Sequence, residues 1–488
     1  MPLRPHIRWA LLFLGGALIS AFTIRQGIDP FDEGIALQAA RRVAGGEVPY
    51  ADFTWAYGPA WPYLLAGLFK VFGGASLLQW RVLRVVADAS VALVVYALLR
   101  RRFEVPQWVA LLGWLAAACA MAEPRSANPF PFALLFALLA IATVRRPLLA
   151  AVFIALAAAF RLDFALYGAA AVTVVLASDR EWKPALRLLA VSAALSLVLY
   201  LPFLIDIGPA KLYQALIGTS LHDRNYWTLS FPLSYGGSIS LRPHALKDVL
   251  DYYQPLLLVI GLAIAALIRK AGLALLVFGL GALSYLLSRT DEFHTQPLFV
   301  ALAVLLPALA VRTRHRAVMV AAALVFALML AEGVGNRLSA LFRPPAMSEV
   351  HVAAADGVEA PPREAQALER VVADVDTLAP PGQPIYVAPR RSDLVTYSNS
   401  IVYVLADRDN AAGRDFGLVT SAAEQQAIVS RLRARRPRVV VRWTDPLSSK
   451  EEPNLRGRPS GSHVLDEYLA STYRPLERLY HYDVLVPR

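Results

Sequence analysis

The sequence predicts a polytopic α-helical membrane protein of about 11 transmembrane helices followed by a smaller α/β domain, because apolar blocks of near-spanning length recur along most of it. Of 488 residues, 57% are hydrophobic and 17% charged, and the mean hydropathy is +0.47, far from a soluble average. The apolar residues come in blocks instead of at amphipathic spacing. After Ala331 the texture changes: Arg343-Pro344-Pro345 and Ala360-Pro361-Pro362 punctuate a linker, and short β-rich runs then alternate with helical ones.

The first block, Trp9 to Ile24, follows Arg4 and Arg8. A basic start and an apolar core would also suit a signal peptide, but no small-residue cleavage site follows, so an uncleaved span is expected. Next comes an external loop, 26–81, holding Asp29-Pro30-Phe31-Asp32-Glu33-Gly34. Within it Trp61 to Phe72 is apolar, yet a crossing there would put Arg100-Arg101-Arg102 outside, so the segment is laid in the interface. The later blocks are Val82 to Leu99, Gln107 to Ala122, Pro131 to Val144, Leu148 to Phe160, Phe164 to Ala177 and Leu186 to Ile205. Pro255 to Ile268, Gly272 to Leu287, Pro297 to Val311 and Ala317 to Ala331 complete them. Leu148 to Ala177 is read as a hairpin turning at Arg161-Leu162-Asp163, because Arg145-Arg146 and the Asp179 to Lys183 stretch both belong inside. The same inside-positive bias assigns Arg269-Lys270 and the run Arg312 to Arg316 to the cytoplasm.

An odd number of crossings places the tail outside. The expected domains are therefore 1–340, membrane-embedded, and 341–488, a periplasmic soluble α/β domain. In the tail, Arg363 to Leu378, Ser421 to Arg435 and Val464 to Ser471 read as helices. Ile385 to Ala388, Ile401 to Leu405, Arg438 to Trp443 and Arg478 to Val486 read as strands. No glycine-rich phosphate loop, metal-ligand spacing or internal repeat is visible. The lone Cys119 lies in an apolar block and can form no intramolecular disulfide. The net charge of +11 belongs to cytoplasmic anchors and headgroup contacts; no basic domain interleaved with aromatics suggests nucleic-acid binding.

With this topology the remaining charges gather on the outer face. They are Asp29, Asp32 and Glu33; Glu123 and Arg125; Arg161 and Asp163; a long loop with His222, Asp223 and Arg224; and Arg289-Thr290-Asp291-Glu292-Phe293-His294. Parity alone would put each of them there. It does not explain why both signs sit against helix ends, where neutral turns cost less. Carboxylates beside arginine and histidine suit group transfer from a phosphorylated carrier. One carboxylate takes a hydroxyl proton while the cations neutralise the departing phosphate, which needs no separate acid. An inverting glycosyl transfer fits that kit.

The run FDEGIALQAARRVAGGEVPYADFTWAYGPAWPYLLAGLFKVFG, Phe31 to Gly73, resembles the first external loop of the GT-C membrane glycosyltransferases. That superfamily includes protein O-mannosyltransferases, aminoarabinose transferases and arabinofuranosyltransferases, which carry an acidic pair in this loop. RTDEFH, Arg289 to His294, is similar to an external-loop motif of several branches. RLD, Arg161 to Asp163, falls where many members have a basic residue and an aspartate at a helix turn, and DFGLVTSAAEQQAIVSRLRARRPRVVV, Asp415 to Val441, resembles their soluble tails.

The resemblance implies a multi-pass protein of the bacterial inner membrane. It would take a sugar from a polyprenyl-phosphate donor and pass it to a lipid, glycan or protein acceptor in the periplasm. On this reading Asp32 is the general base, and Glu33 orients the acceptor or shares a divalent cation with it, the two being interchangeable. Arg161, Arg289 and His294 hold the donor phosphate, Asp163 and Asp291 orient those cations, and Tyr57 and Trp55 line the sugar pocket. His222 and Arg224 are supporting groups, read first as interfacial anchors. Plainer roles stand beside these: a helix cap for His294, a local ion pair for Arg161 and Asp163, a turn for Asp29, and headgroup contact for Arg41 and Arg42. Adjacent Asp32 and Glu33 would need further oxygen ligands to hold a metal. The alternatives are a secondary transporter, which should show repeat symmetry, and an envelope assembly scaffold, which needs no charged constellation.

Overall fold

Every one of the eleven apolar blocks forms a helix in the computed structural model, which describes residues 4–237, 243–395, 399–415, 419–445 and 457–488. The side chains of Pro5, Asp223, Pro243, His244 and Glu292 lie outside that description, as do Phe416, Gly417 and Leu418 of the tail segment quoted above. The helices are α1 (Pro5–Ala21), α2 (Asp32–Ala44), α3 (Ala60–Phe72), α4 (Leu77–Arg101), α5 (Gln107–Met121), α6 (Phe130–Ala142) and α7 (Pro147–Phe160). They continue with α8 (Leu162–Ser178), α9 (Trp182–Tyr213), α10 (Thr219–Trp227), α11 (Pro243–Ala265), α12 (Leu273–Ser288), α13 (Glu292–Arg312) and α14 (Arg316–Phe342). Segments Leu77–Arg101, Trp182–Trp227, Ala245–Ser288, Phe293–Arg312 and Arg316–Phe342 are long and apolar enough to cross a bilayer. The chain is a helical membrane protein.

At the centre stands α13, apolar on all sides as a fully surrounded helix must be; Leu298 to Leu306 are all buried. Pro307 has no N–H to offer the Ala303 carbonyl. It is there that α5 brings Gly113, where a Cβ would come within 2.8 Å of that oxygen. Around this axis α4 packs on α1 and α5, α6 on α7, and α8 on α12.

The basic runs meet at one end of the bundle. Lys270 pairs with Asp179 at 2.9 Å, Arg145 reaches the same carboxylate at 3.3 Å, and Arg312 donates to the Phe103 carbonyl at 3.3 Å. The expected hairpin is present: α7 ends at Phe160, Arg161 is extended, and α8 begins at Leu162. Three expectations need correction. The segment with His222 and Arg224 is the helix α10, not a loop. The 26–81 loop holds α2 and α3, and α4 starts five residues before Val82, which buries Trp80, Arg81, Arg84 and Asp88. Arg84 and Asp88 pair at 2.7 Å, one turn apart, with Ser20 of α1 donating to Asp88 at 2.8 Å.

Beyond α14 lie β1 (Ser348–Glu349), β2 (Glu359–Ala360), α15 (Pro362–Leu378), β3 (Tyr386–Ala388), α16 (Ile401–Leu405), α17 (Ala422–Arg435), β4 (Val440–Trp443), α18 (Val464–Thr472), β5 (Tyr473–Leu479) and β6 (Tyr482–Pro487). The sheet order is β3-β4-β6-β5, with β3 parallel to β4 and the rest antiparallel. Ile401 to Leu405, β-branched and expected as a strand, is the short helix α16. All five residues are buried, and the start of α16 packs against α2 at Gly34, where a Cβ would lie 2.2 Å from the Ile401 nitrogen; tertiary packing overrides propensity. The expected strand Arg478 to Val486 is interrupted by a turn at Tyr480 (φ 48°) and divides between β5 and β6. Arg41 and Arg42 do not face headgroups: Arg41 donates to Asp407 at 2.6 Å and Arg42 to Asp415 at 2.7 Å, tying α2 to the tail.

Candidate active site

The acidic run at the start of α2 divides into three roles. Asp29 shapes the turn, its Oδ1 accepting from the Phe31 N–H at 2.9 Å and the Asp32 N–H at 3.2 Å. Glu33 turns inward. It is fully buried and accepts from Arg81 Nε and Nη2, both at 2.8 Å, from Trp80 Nε1 at 2.7 Å and from the Asp29 N–H at 3.2 Å. Arg81 spends its other donors on the Ile24 and Gly27 carbonyls at 2.8 and 2.7 Å. The Glu33 carboxylate is thereby saturated, which corrects its expected role toward an acceptor or a metal: it fixes the loop to α4.

Asp32 is the carboxylate left over. No hydrogen bond engages its side chain among the described residues. Its surroundings are Arg161, Arg289, Asp29 and Asp291, drawn from three separate stretches of chain. Burial first, then the like charges of Asp29 and Asp291, push its pKa up to about 7, against the pull of Arg289 and Arg161. Asp29 is pushed up to about 6, mainly by burial.

The cations stand in prepared frames. Arg161, at the α7–α8 break, makes a fork to Asp163 at 3.0 and 2.7 Å and donates to Asn128 at 3.0 Å, its guanidinium lying 5.1 Å over Tyr57 and 4.9 Å over Tyr285. Arg289 donates to Asp291 and, at 3.0 Å, to the Trp227 carbonyl. Asp291 is also the N-cap of α13, accepting from the His294 N–H at 3.0 Å, while His294 Nδ1 lies 2.6 Å from the same carboxylate and its ring stacks on Tyr285 at 4.2 Å. Despite its burial, Asp291 is held down to about 2, by the His294 contacts and Arg289. The local ion pair expected as the plainer role of Arg161 and Asp163 is therefore present, whereas the cap of α13 is Asp291 and not His294.

Tyr57 belongs to the cluster, with Asn128 donating to its hydroxyl at 3.4 Å. Trp55 does not: it is buried, donates to the Gly58 carbonyl at 3.0 Å and braces Tyr57 edge-on. The loop is seated by Gly58, where a Cβ would meet the Ala159 carbonyl at 2.2 Å. His222 and Arg224 are exposed on α10; from that helix Trp227 closes the wall, 5.4 Å from Phe31. Among the described residues no group of three His, Cys, Asp or Glu is placed to hold a metal. Because Glu33 is taken by Arg81, a divalent cation shared by Asp32 and Glu33 does not fit; Asp29 and Asp32 are the carboxylates that could share one.

Two hollows flank this cluster. A cavity of about 710 Å³ opens between α11, α14 and the 122–125 turn and includes Asp291. An apolar groove of about 540 Å³ runs between Pro59, Tyr63, Ala159, Leu199 and Phe203, beside the α7–α8 break. The sequence reading missed Arg81, Asn128 and Tyr285. Arg81 stands just outside the block begun at Val82, and the other two are ordinary residues whose role exists only in three dimensions.

No family model matches the sequence, and no curated protein matches it. Among solved structures the chain is similar to ArnT from Cupriavidus metallidurans in the apo state, an aminoarabinose transferase. The TM-score is 0.55 at 14% identity, covering 99% of this chain and 98% of that one. It is also similar to the archaeal oligosaccharyltransferase AglB from Archaeoglobus fulgidus in complex with an inhibitory peptide and a dolichol-phosphate. Here the TM-score is 0.52 at 13% identity, covering 98% of this chain and 74% of that one. Both have the GT-C fold, and this chain shares it over nearly its whole length.

Proposed function

We propose, with the GT-C fold as premise, that this chain is an inverting glycosyltransferase of the bacterial inner membrane. It would move a sugar from a polyprenyl-phosphate donor to a lipid, glycan or protein acceptor on the periplasmic side. Asp32 carries the reading: a carboxylate with its lone pairs unspent and its proton affinity raised toward neutrality, facing two guanidinium groups. The acceptor hydroxyl gives its proton to Asp32 and its oxygen forms the new bond to the anomeric carbon. The bond from that carbon to the donor phosphate breaks, and the electron pair leaves on the phosphate, met by Arg161 and Arg289. Asp163 and Asp291 hold those cations in place, and His294 acts through Asp291.

The clustering of the basic runs at one end supports a reading in which that end is cytoplasmic and the site and tail lie outside. Nucleotide sugars are cytoplasmic, so an outward site needs a membrane-borne donor. The apolar groove beside Arg161 suits its chain. The test is consumption of a labelled polyprenyl-phosphate sugar by purified protein with envelope extract as acceptor. Turnover abolished by Asp32→Asn supports the reading. No consumption by the wild type would overturn it in favour of a transporter or scaffold.

A further inference from the structure

We infer that the 710 Å³ cavity beside Asp291 is the acceptor site, and that the acceptor carries an anionic group, phosphate or carboxylate, which Arg337 anchors. This rests on the function proposed above and names the class of its second substrate. The lining holds charges of both signs, and several are already answered. Asp251 is paired with Lys247, Asp291 with Arg289, and Glu332 accepts from Asn336 at 2.6 Å. Arg125, Arg337 and Arg343 form no ion pair among the described residues. Arg125 and Arg343 are exposed on the rim. Arg337 is not: its Nε and Nη1 are shut off from solvent and have no hydrogen-bond partner.

Leaving such donors unmet costs roughly 1–3 kcal/mol, more for a charged group. The carboxylate that would otherwise attract Arg337, Asp88, is already held by Arg84 and Ser20. Arg337 also lines the cavity, so anionic oxygens of a ligand can reach this guanidinium from its open side. Asp291, which lines the same cavity, is the near neighbour of Asp32. An acceptor gripped by its acid group at Arg337 can thus present a hydroxyl toward the base. Thr290, Thr295 and Asn336 supply the hydroxyl and amide groups that suit a saccharide.

The probes are glucose 6-phosphate and glucuronate, with glucose as the neutral control, titrated into full-length protein in phosphatidylcholine nanodiscs. Wild type should bind both acids and not glucose. Glucose 6-phosphate should fill two sites, one at Arg161 and Arg289 and one at Arg337. Arg337→Gln should lose one site and Arg161→Gln the other, with Arg337→Lys intermediate. Arg125→Gln, on the exposed rim, should weaken the Arg337 site several-fold. Retention of both sites by Arg337→Gln, or no effect of Arg125→Gln, overturns the inference. If Arg161→Gln keeps both sites while Arg337→Gln loses one, the donor assignment falls and the cavity assignment stands. Phosphatidic acid in the disc that competes with glucose 6-phosphate for the Arg337 site identifies the anion as a lipid headgroup. Absence of competition identifies a soluble saccharide.

Discussion

Asp32→Asn should abolish turnover and at the same time stabilise the protein, increasingly so as pH rises. The carboxylate titrates near 7 in the folded chain instead of at 3.8. The native state therefore binds this proton more tightly than the unfolded state, and Asp32 lends stability below about pH 4 that is lost as pH climbs through 7. The full penalty is about 4 kcal/mol, from roughly three units at about 1.36 kcal/mol each. This is an upper bound, since Asp32 keeps part of its surface open to water. At about pH 5 only some 1.6 kcal/mol of it has developed, so the asparagine variant gains about 2 to 3 kcal/mol more between pH 5 and 8. Loss of a general base costs about 10²- to 10⁴-fold in rate. The assay pairs turnover of a polyprenyl-phosphate sugar with thermal unfolding in detergent at both pH values. A variant that keeps wild-type turnover, or whose Tm advantage is absent or shrinks with rising pH, would refute the reasoning.

Glu33→Gln should behave in the opposite sense, losing about 3 kcal/mol or more because it leaves Arg81 buried beside a neutral partner; a Tm equal to wild type would deny the clamp. Arg161→Lys, which keeps the charge and loses the fork to Asp163, should raise the KM for donor about tenfold or more at unchanged acceptor KM, read from initial rates. Asp291→Asn should destabilise above about pH 4, where the ionised form held near 2 has been contributing, by about 2 kcal/mol, and the loss should fade as pH falls toward 2 in thermal melts. Gly34→Ala must push the start of α16 away from α2, so faster protease cleavage of the tail at intact membrane-domain Tm is expected.

The membrane helices were legible because burial on all sides leaves a continuous apolar signature, and even the break at Arg161 followed from charge placement. Periodicity could not tell that Asp32 and Glu33, adjacent in sequence, point to different worlds. On the first turn of α2 their side chains diverge by about 100°, and the one facing α4 meets Arg81 while the other meets Arg161 and Arg289. Hydropathy also hid α4's first turn, since Trp80 and Arg81 read as loop until their partners are known. IVYVL at Ile401 has the composition of a strand and became a helix because a glycine on a distant segment made room for its backbone.

The helix bearing Asp32 is gripped by the terminal domain: Gly34 lies flush on α16, and Arg41 and Arg42 reach Asp407 and Asp415. A ligand that tilts the terminal domain by a fraction of an ångström would drag the proton acceptor with it. On the proposed function the tail would then act as a lever on the reaction centre, and a chain shortened to its membrane helices would lose the contacts that Asp407, Asp415 and α16 make with α2.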